Sequence, residues 1–153
     1  MIVDSFRFDL PIPRTILVVD DFESYRRFVV SELQKRAEAQ LIYEASDGLE
    51  AVQQAEEHQP DLILLDIGLP RLNGIEAARR IREVSPNSKV VFVSQESSRD
   101  VVQEALSIGA QGYLLKSDGE LLFAVDAVLQ GKQFVSAGLP TSNTAPAPIR
   151  RRS

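Results

Sequence analysis

The sequence contains no cysteine and a single histidine, His58, among its 153 residues. Disulfides and thiolate metal sites are therefore excluded, and so is a metal site that needs several histidines. Zinc depends on such ligands, whereas hard cations bind oxygen. Any metal site in this chain must therefore be built from oxygen ligands.

The chain also lacks a long apolar run and an excess of positive charge. No stretch approaches the roughly 18 apolar residues that span a bilayer. Residues 1–13 include acidic residues and no long apolar core, unlike a signal peptide. The formal net charge of -5 argues against a nucleic-acid surface spread over the whole domain, and the arginines at 150–152 are typical of a solvated end. We expect a cytoplasmic protein with no membrane partner.

What the sequence does have is a strand pattern that alternates five times with amphipathic helical stretches. The predicted strands cover residues 15–19, 40–44, 62–65, 90–93 and 112–115. The first, third and fourth are continuous apolar runs, as in parallel strands covered on both faces, whereas the second mixes polar residues and is expected at an edge. Because parallel strands need crossover helices, the repeat predicts a doubly wound parallel α/β sheet.

Apolar residues at helical spacing predict the helices between these strands. The stripe assigned to the first helix consists of Phe22, Tyr25, Phe28, Val29 and Leu33. From residue 139 onward the composition shifts to Pro, Ser, Thr, Ala and Asn, which cannot build a core. We therefore expect an N-terminal extension over residues 1–13, one domain over 14–138, and a linker or disordered tail over 139–153.

Polar side chains follow four of the predicted strands. Asp20 and Asp21 follow the first strand, Asp66 the third, Ser94 the fourth and Lys116 the fifth. In doubly wound sheets the functional groups gather at the carboxyl ends of the strands. Carboxylates brought together there must protonate or bind a cation, and Mg²⁺ prefers carboxylate, water and phosphate oxygens. The pattern predicts a magnesium site at this edge.

These residue types suit the transfer of a phosphoryl group. A carboxylate is a competent phosphoryl acceptor, and the transferred group spreads its charge over three oxygens. A metal can neutralise one oxygen, the Lys116 ammonium another, and the Ser94 hydroxyl can donate to a third. Taken singly, each residue has a plainer interpretation: Asp21 as the cap of a helix beginning at Phe22, Ser94 as a turn residue, and Lys116 as a solvated side chain at the rim. Together they favour a phosphoacceptor site at Asp66.

Longer motifs around these residues resemble the receiver domain of bacterial two-component response regulators. The resemblance covers about residues 14–139 and rests on residues 18–21 (VVDD), 64–70 (LLDIGLP), 73–74 (NG), 93–94 (VS) and 109–116 (GAQGYLLK). Residues 119–122 and 127–136 resemble the last helix of the NarL subfamily, in which a linker and a helix-turn-helix DNA-binding domain follow the receiver. The resemblance implies a flavodoxin-like five-stranded sheet of order 2-1-3-4-5 with five helices.

The resemblance also implies roles for the polar residues. Asp66 takes a phosphoryl group from a sensor histidine kinase or phosphotransfer protein, and the chain catalyses only its own phosphorylation and dephosphorylation. The implied Mg²⁺ ligands are Asp20, Asp21, Asp66 and the backbone carbonyl of Gly68. Ser94 and Lys116 contact the phosphoryl oxygens.

A switch is implied as well. When Ser94 moves toward the phosphate, Tyr113 is expected to turn inward and to reshape the face formed by the fourth helix, fifth strand and fifth helix. The plainer alternative for Tyr113 is a half-buried strand aromatic with its hydroxyl in water. Receivers of this subfamily can pair through helix faces, so the resemblance allows a homodimer on activation.

Two residues depart from the family pattern. Ser117 follows Lys116 where many receivers carry a proline after a cis peptide bond, and a non-proline cis bond costs about 3–4 kcal/mol. Gln95 follows Ser94 where many relatives have a small residue. We expect its bulky amide to affect access to Asp66 and the lifetime of the phosphate.

The leading hypothesis is a receiver that controls a transcriptional regulator whose DNA-binding domain lies outside this chain. There are three alternatives. The first is a stand-alone receiver acting only by protein contact. A Mg²⁺-dependent aspartyl-phosphate phosphohydrolase fits less well, because Gly68 stands where such enzymes place a second acid. A flavodoxin-like cofactor protein would need a hydroxyl- and glycine-rich phosphate loop after the first strand, where Asp20 and Asp21 would instead repel a phosphate.

Overall fold

The computed structural model describes residues 13–139. Its elements in chain order are β1 (Arg14–Val19), α1 (Glu23–Leu33), β2 (Gln40–Ala45), α2 (Gly48–His58), β3 (Leu62–Leu65), α3 (Gly74–Val84), β4 (Lys89–Ser94), α4 (Arg99–Ser107), β5 (Gly112–Leu115), α5 (Leu121–Leu129) and β6 (Phe134–Val135). All strands run parallel in one sheet of order β2-β1-β3-β4-β5-β6. The predicted flavodoxin-like α/β fold with five helices is confirmed, and β2 lies at an edge as expected.

The sheet has one strand more than predicted. Phe134 pairs with Gly112 of β5 and Val135 with Tyr113. The chain reaches this position because α5 ends at Leu129 and the following turn passes through Gly131, whose φ of 92° is readily adopted only by glycine. Two residues are too few for periodicity to reveal a strand, and the resemblance to the NarL subfamily places this stretch with the last helix.

Both faces of the sheet are covered by helices, which explains the continuous apolar runs. Leu17 and Val19 of β1 belong to one core cluster, whereas Ile16 and Val18 belong to the other. Successive side chains of a strand point to opposite faces, so a strand covered on both sides needs apolar residues at every position. Accordingly, all residues of β3 are buried.

The predicted apolar stripe of α1 is only partly correct. Val29 and Leu33 are buried, but Phe22 is 64% and Phe28 50% exposed. Phe22 precedes the first helical residue, Glu23. Phe28 stands about 100° around the helix axis from Val29, which turns its ring away from the sheet.

The predicted extension and tail fall outside the described residues, apart from Pro13 and Leu139, so those boundaries stay predictions. Leu139 packs against one core cluster. Between residues 13 and 139, every helix is too short or too polar to cross a membrane.

The start of α3 lies tightly against the end of β3. Asn73 caps the helix, its side-chain oxygen accepting the Glu76 N–H at 3.0 Å. A Cβ atom at Gly74 would lie 2.7 Å from Ile67 Cα and 2.9 Å from the Asp66 carbonyl carbon. Only glycine permits this approach, which fixes the backbone that carries Asp66.

We expect Gly74→Ala to lower the free energy of unfolding by about 1–3 kcal/mol, because the added methyl group overlaps backbone that cannot move freely. Urea denaturation measures the change. Gly119→Ala is the matched control, since no described atom lies within 4 Å of a Cβ at Gly119, and its stability should stay within about 0.5 kcal/mol of wild type. An unchanged midpoint for Gly74→Ala would contradict this account of the turn.

Candidate functional site

The carboxyl edge of the sheet gathers the predicted polar residues. One carboxylate oxygen from each of Asp20, Asp21 and Asp66 lies within 4.8 Å of the other two. Asp20 and Asp66 are buried, whereas Asp21 is exposed. Adjacent β1 and β3 bring them together, because the carboxyl ends of parallel strands meet at one edge.

Lys116 reaches this cluster from the end of β5. Its Nζ lies 2.7 Å from Asp20 Oδ2 and 3.4 Å from Asp66 Oδ2, and its side chain is only 12% exposed. The plainer interpretation of Lys116 as a solvated rim residue is therefore wrong. One ammonium among these carboxylates leaves an excess of negative charge, which suits a divalent cation.

The Asp66 carboxylate lies in an environment that disfavours its charge. Burial raises the pKa of Asp66, and the negative charge of Asp20 raises it further. The Lys116 ammonium and the Gly68 N–H, which donates to Asp66 Oδ1 at 3.4 Å, oppose this rise. The ionised form of Asp66 would therefore be stabilised by additional positive charge.

Asp20 is held by contacts on three sides. Its Oδ1 accepts the Phe22 N–H at 2.9 Å, its backbone carbonyl accepts Arg26 Nη1 at 2.7 Å, and its own N–H donates to the Ala45 carbonyl. Arg26 is itself bonded to Glu44 of β2 at 2.9 Å. Because Asp20 accepts the N–H at the start of α1 and Phe22 is the cap residue, the alternative of Asp21 as the helix cap is wrong.

A cleft opens above Asp66 between the loops after β1, β3 and β4. Its lining includes Asp21, Gly68, Ser94, Gln95 and Lys116. Gln95 is exposed and belongs to this lining, and its effect on access to Asp66 stays a prediction.

The predicted switch residues, Ser94 and Tyr113, both contact the backbone of Glu96. Ser94 is buried, and its Oγ accepts the Glu96 N–H at 3.0 Å. Tyr113 is fully buried, and its hydroxyl donates to the Glu96 carbonyl at 2.6 Å. The half-buried alternative with a hydroxyl in water is therefore wrong. Burial raises the pKa of Tyr113, a Ser94 hydrogen bond lowers it, and the charges of Glu96 and Asp66 raise it.

Tyr25 is a neighbour of the site that sequence reasoning missed. Its ring centroid lies 4.7 Å from Lys116 Nζ. Burial, helped by the charges of Asp20 and Asp66, raises the pKa of Tyr25 to about 12. From the sequence, Tyr25 was only a member of the predicted apolar stripe of α1.

The peptide bond between Lys116 and Ser117 is trans.

The structure thus combines a flavodoxin-like parallel sheet with an acidic cluster and a lysine at its carboxyl edge. The family model described as the response regulator receiver domain matches residues 16–126. The chain therefore belongs to the response regulator receiver family.

Curated relatives are similar over most of this chain. It is 36% identical over 122 residues to the transcriptional regulatory protein DegU of Brevibacillus brevis, a match that covers 78% of this chain and 52% of that protein. It is 36% identical over 129 residues to the nitrate/nitrite response regulator protein NarL of Escherichia coli (strain K12), covering 83% of this chain and 60% of that protein. The chain thus spans little more than half the length of these relatives.

Two solved structures are also similar to the fold of this chain. A two-component response regulator of the LuxR family from Aurantimonas sp. SI85-9A1 matches with a TM-score of 0.78 and 30% identity, over 82% of this chain and 91% of that one. The CheX-CheY-BeF3-Mg+2 complex from Borrelia burgdorferi contains a chain that matches with a TM-score of 0.70 and 26% identity, over 80% of this chain and 92% of that one.

Because burial and Asp20 raise the folded-state pKa of Asp66 above its unfolded value, the folded protein binds that proton more tightly. The free energy of unfolding therefore falls as pH rises from the ordinary Asp pKa through the raised one. In EDTA, we expect Asp66→Asn to be more stable than wild type at pH 7, and the difference to shrink as pH falls below the ordinary Asp pKa.

Urea denaturation across this pH range measures the difference. Glu83→Gln, an acid-to-amide change at an exposed position of α3, is the control and should stay within about 0.5 kcal/mol of wild type. Greater stability of the wild type at pH 7 would show that the ionised Asp66 is not unfavourable.

Proposed function

We propose that this chain is a phosphorylation switch in which Asp66 accepts a phosphoryl group from a histidine kinase or phosphotransfer protein. The observation that carries the proposal is the cluster of Asp20, Asp21 and Asp66 with the Lys116 ammonium in contact. Membership of the receiver family supports it. The chain would act on itself and not on a separate substrate.

The proposed transfer is a substitution at phosphorus. The P–N bond of the donor phosphohistidine breaks while a P–O bond forms at an Asp66 carboxylate oxygen, and the imidazole leaves with the electron pair. Lys116 Nζ, 3.4 Å from Asp66 Oδ2, can pair with a phosphoryl oxygen carried by that side chain. The Ser94 hydroxyl lines the same cleft and can donate to another, so the chain chiefly contributes positioning and charge.

The residues at the edge also fit Mg²⁺. The donor set is oxygen only, carries an excess of negative charge and includes a carboxylate disfavoured by burial, which are the properties of a hard-cation site. Asp20, Asp21, Asp66 and the Gly68 backbone carbonyl would hold the ion. When bound, it would neutralise part of the phosphoryl charge. The CheX-CheY-BeF3-Mg+2 complex, one chain of which is similar to this one, supports this assignment.

We propose that Ser94 and Tyr113 report phosphorylation to the face formed by α4, β5 and α5. The Ser94 hydroxyl would donate to a phosphoryl oxygen and, as it moves, cease to accept the Glu96 N–H, while the Tyr113 hydroxyl keeps donating to the carbonyl of the same residue. Glu96 precedes the Ser98 cap of α4 by two residues, so this exchange acts close to the start of that helix.

The output we propose is control of transcription, through a DNA-binding domain beyond the residues given. Support comes from DegU and NarL, of which this chain covers 52% and 60%. The reading frame downstream of Ser153 tests the idea: a helix-turn-helix coding sequence in frame supports it, and a stop codon contradicts it in favour of action by protein contact alone.

We expect one base-labile phosphoryl adduct on the wild-type chain after incubation with Mg²⁺ and acetyl phosphate, measured by intact-mass spectrometry. Asp66→Asn should abolish the adduct because the acceptor oxygen is lost, and EDTA should abolish it because the metal is removed. Asp100→Asn, at an exposed position, is the control and should label like wild type. Equal labelling of Asp66→Asn, or labelling that survives EDTA, contradicts the proposal.

A further inference from the structure

Tyr25 provides a contact to Lys116 that differs in kind from the two carboxylates. It lies in the first turn of α1 and is partly buried. Lys116 Nζ stands 4.7 Å from its ring centroid, within the range of a cation–π interaction. Phe28, the aromatic neighbour of Tyr25 with ring centroids 5.7 Å apart, is half exposed.

The proposed reaction changes the two carboxylate partners of the Lys116 ammonium but leaves its contact with the Tyr25 ring unchanged. Asp66 would carry the phosphoryl group, and Asp20 would face the metal, so both carboxylate contacts of Lys116 are altered during the transfer. The ring of Tyr25 takes no part in that chemistry. It can therefore hold the lysine side chain while its ionic partners are exchanged.

The tyrosine also stays neutral beside the acidic cluster. Its pKa of about 12 reflects burial first and then the charges of Asp20 and Asp66. At physiological pH the hydroxyl thus keeps its proton, and no phenolate adds to the negative charge of the cluster.

We propose that Tyr25 is a positioning residue that directs the Lys116 ammonium toward the phosphoryl group, an inference that rests on the proposed function of Asp66. The ring face, rather than the hydroxyl, performs this role. A tyrosine that only fills space between α1 and the sheet would not act through Lys116.

A double-mutant cycle separates these roles. Initial rates of Asp66 labelling by acetyl phosphate and Mg²⁺ are compared for wild type, Tyr25→Phe, Tyr25→Leu and Phe28→Leu, each with Lys116 and with Lys116→Met. We expect Tyr25→Leu to slow labelling about tenfold through loss of the cation–π contact. Tyr25→Phe keeps the ring and Phe28→Leu keeps the contact, so both should remain within about twofold of wild type. With Lys116→Met, Tyr25→Leu should cause no further loss.

A second measurement does not depend on activity. In wild type and Tyr25→Phe, the Lys116 Hε protons should show an upfield ring-current shift in NMR spectra, and Tyr25→Leu should remove it. The role of Tyr25 would be overturned if Tyr25→Leu slowed labelling equally with and without Lys116→Met. It would also be overturned if Tyr25→Phe slowed labelling as much as Tyr25→Leu, or if the ring-current shift were missing. Absence of label on wild type would instead contradict the proposed function, whereas normal labelling of Tyr25→Leu overturns only this inference.

Discussion

The Lys116 ammonium lies 2.7 Å from Asp20 and 3.4 Å from Asp66, yet its strand is not adjacent to either of theirs. The strand of Lys116 lies about 10 Å from that of Asp66, with β4 between them, and about 14 Å from that of Asp20. Reaching the carboxylates needs a long side chain at the end of β5 and a small one at the end of β4, where Ser94 stands. This contact therefore constrains the side-chain size at the ends of both β4 and β5.

The charges at this edge are held in place by an apolar fold that does not depend on them. Burial disfavours the ionised Asp66, and the backbone beneath it is fixed by the close approach of Gly74. Both faces of the sheet meanwhile bury continuous apolar clusters. Because burial of apolar surface supplies most of the stability of a domain, the edge can retain a charge excess that a cation or a phosphoryl group can exploit.

The fold and the cluster of Asp20, Asp21, Asp66 and Lys116 could be predicted from the sequence, because both depend on local patterns: apolar strands and the residues that end them. Features set by tertiary contacts could not. The strand at Phe134–Val135 exists only through pairing with β5, and the exposure of Phe28 depends on which side of α1 meets the sheet. The contact of Tyr25 with Lys116 joins residues 91 positions apart in the chain, without a motif that links them.

The backbone of Glu96 is bonded at both its N–H and its carbonyl by the proposed switch residues. Its N–H binds the Ser94 hydroxyl and its carbonyl binds the Tyr113 hydroxyl. The Tyr113 ring is fully enclosed and packs near Phe92, with centroids 6.3 Å apart, so it cannot rotate freely in a densely packed interior. If Ser94 releases the Glu96 N–H, the exposed loop that carries Glu96 is freer to move than the buried ring. Helix α4 starts at Arg99, three residues beyond Glu96, so we expect such a displacement to be passed to that helix.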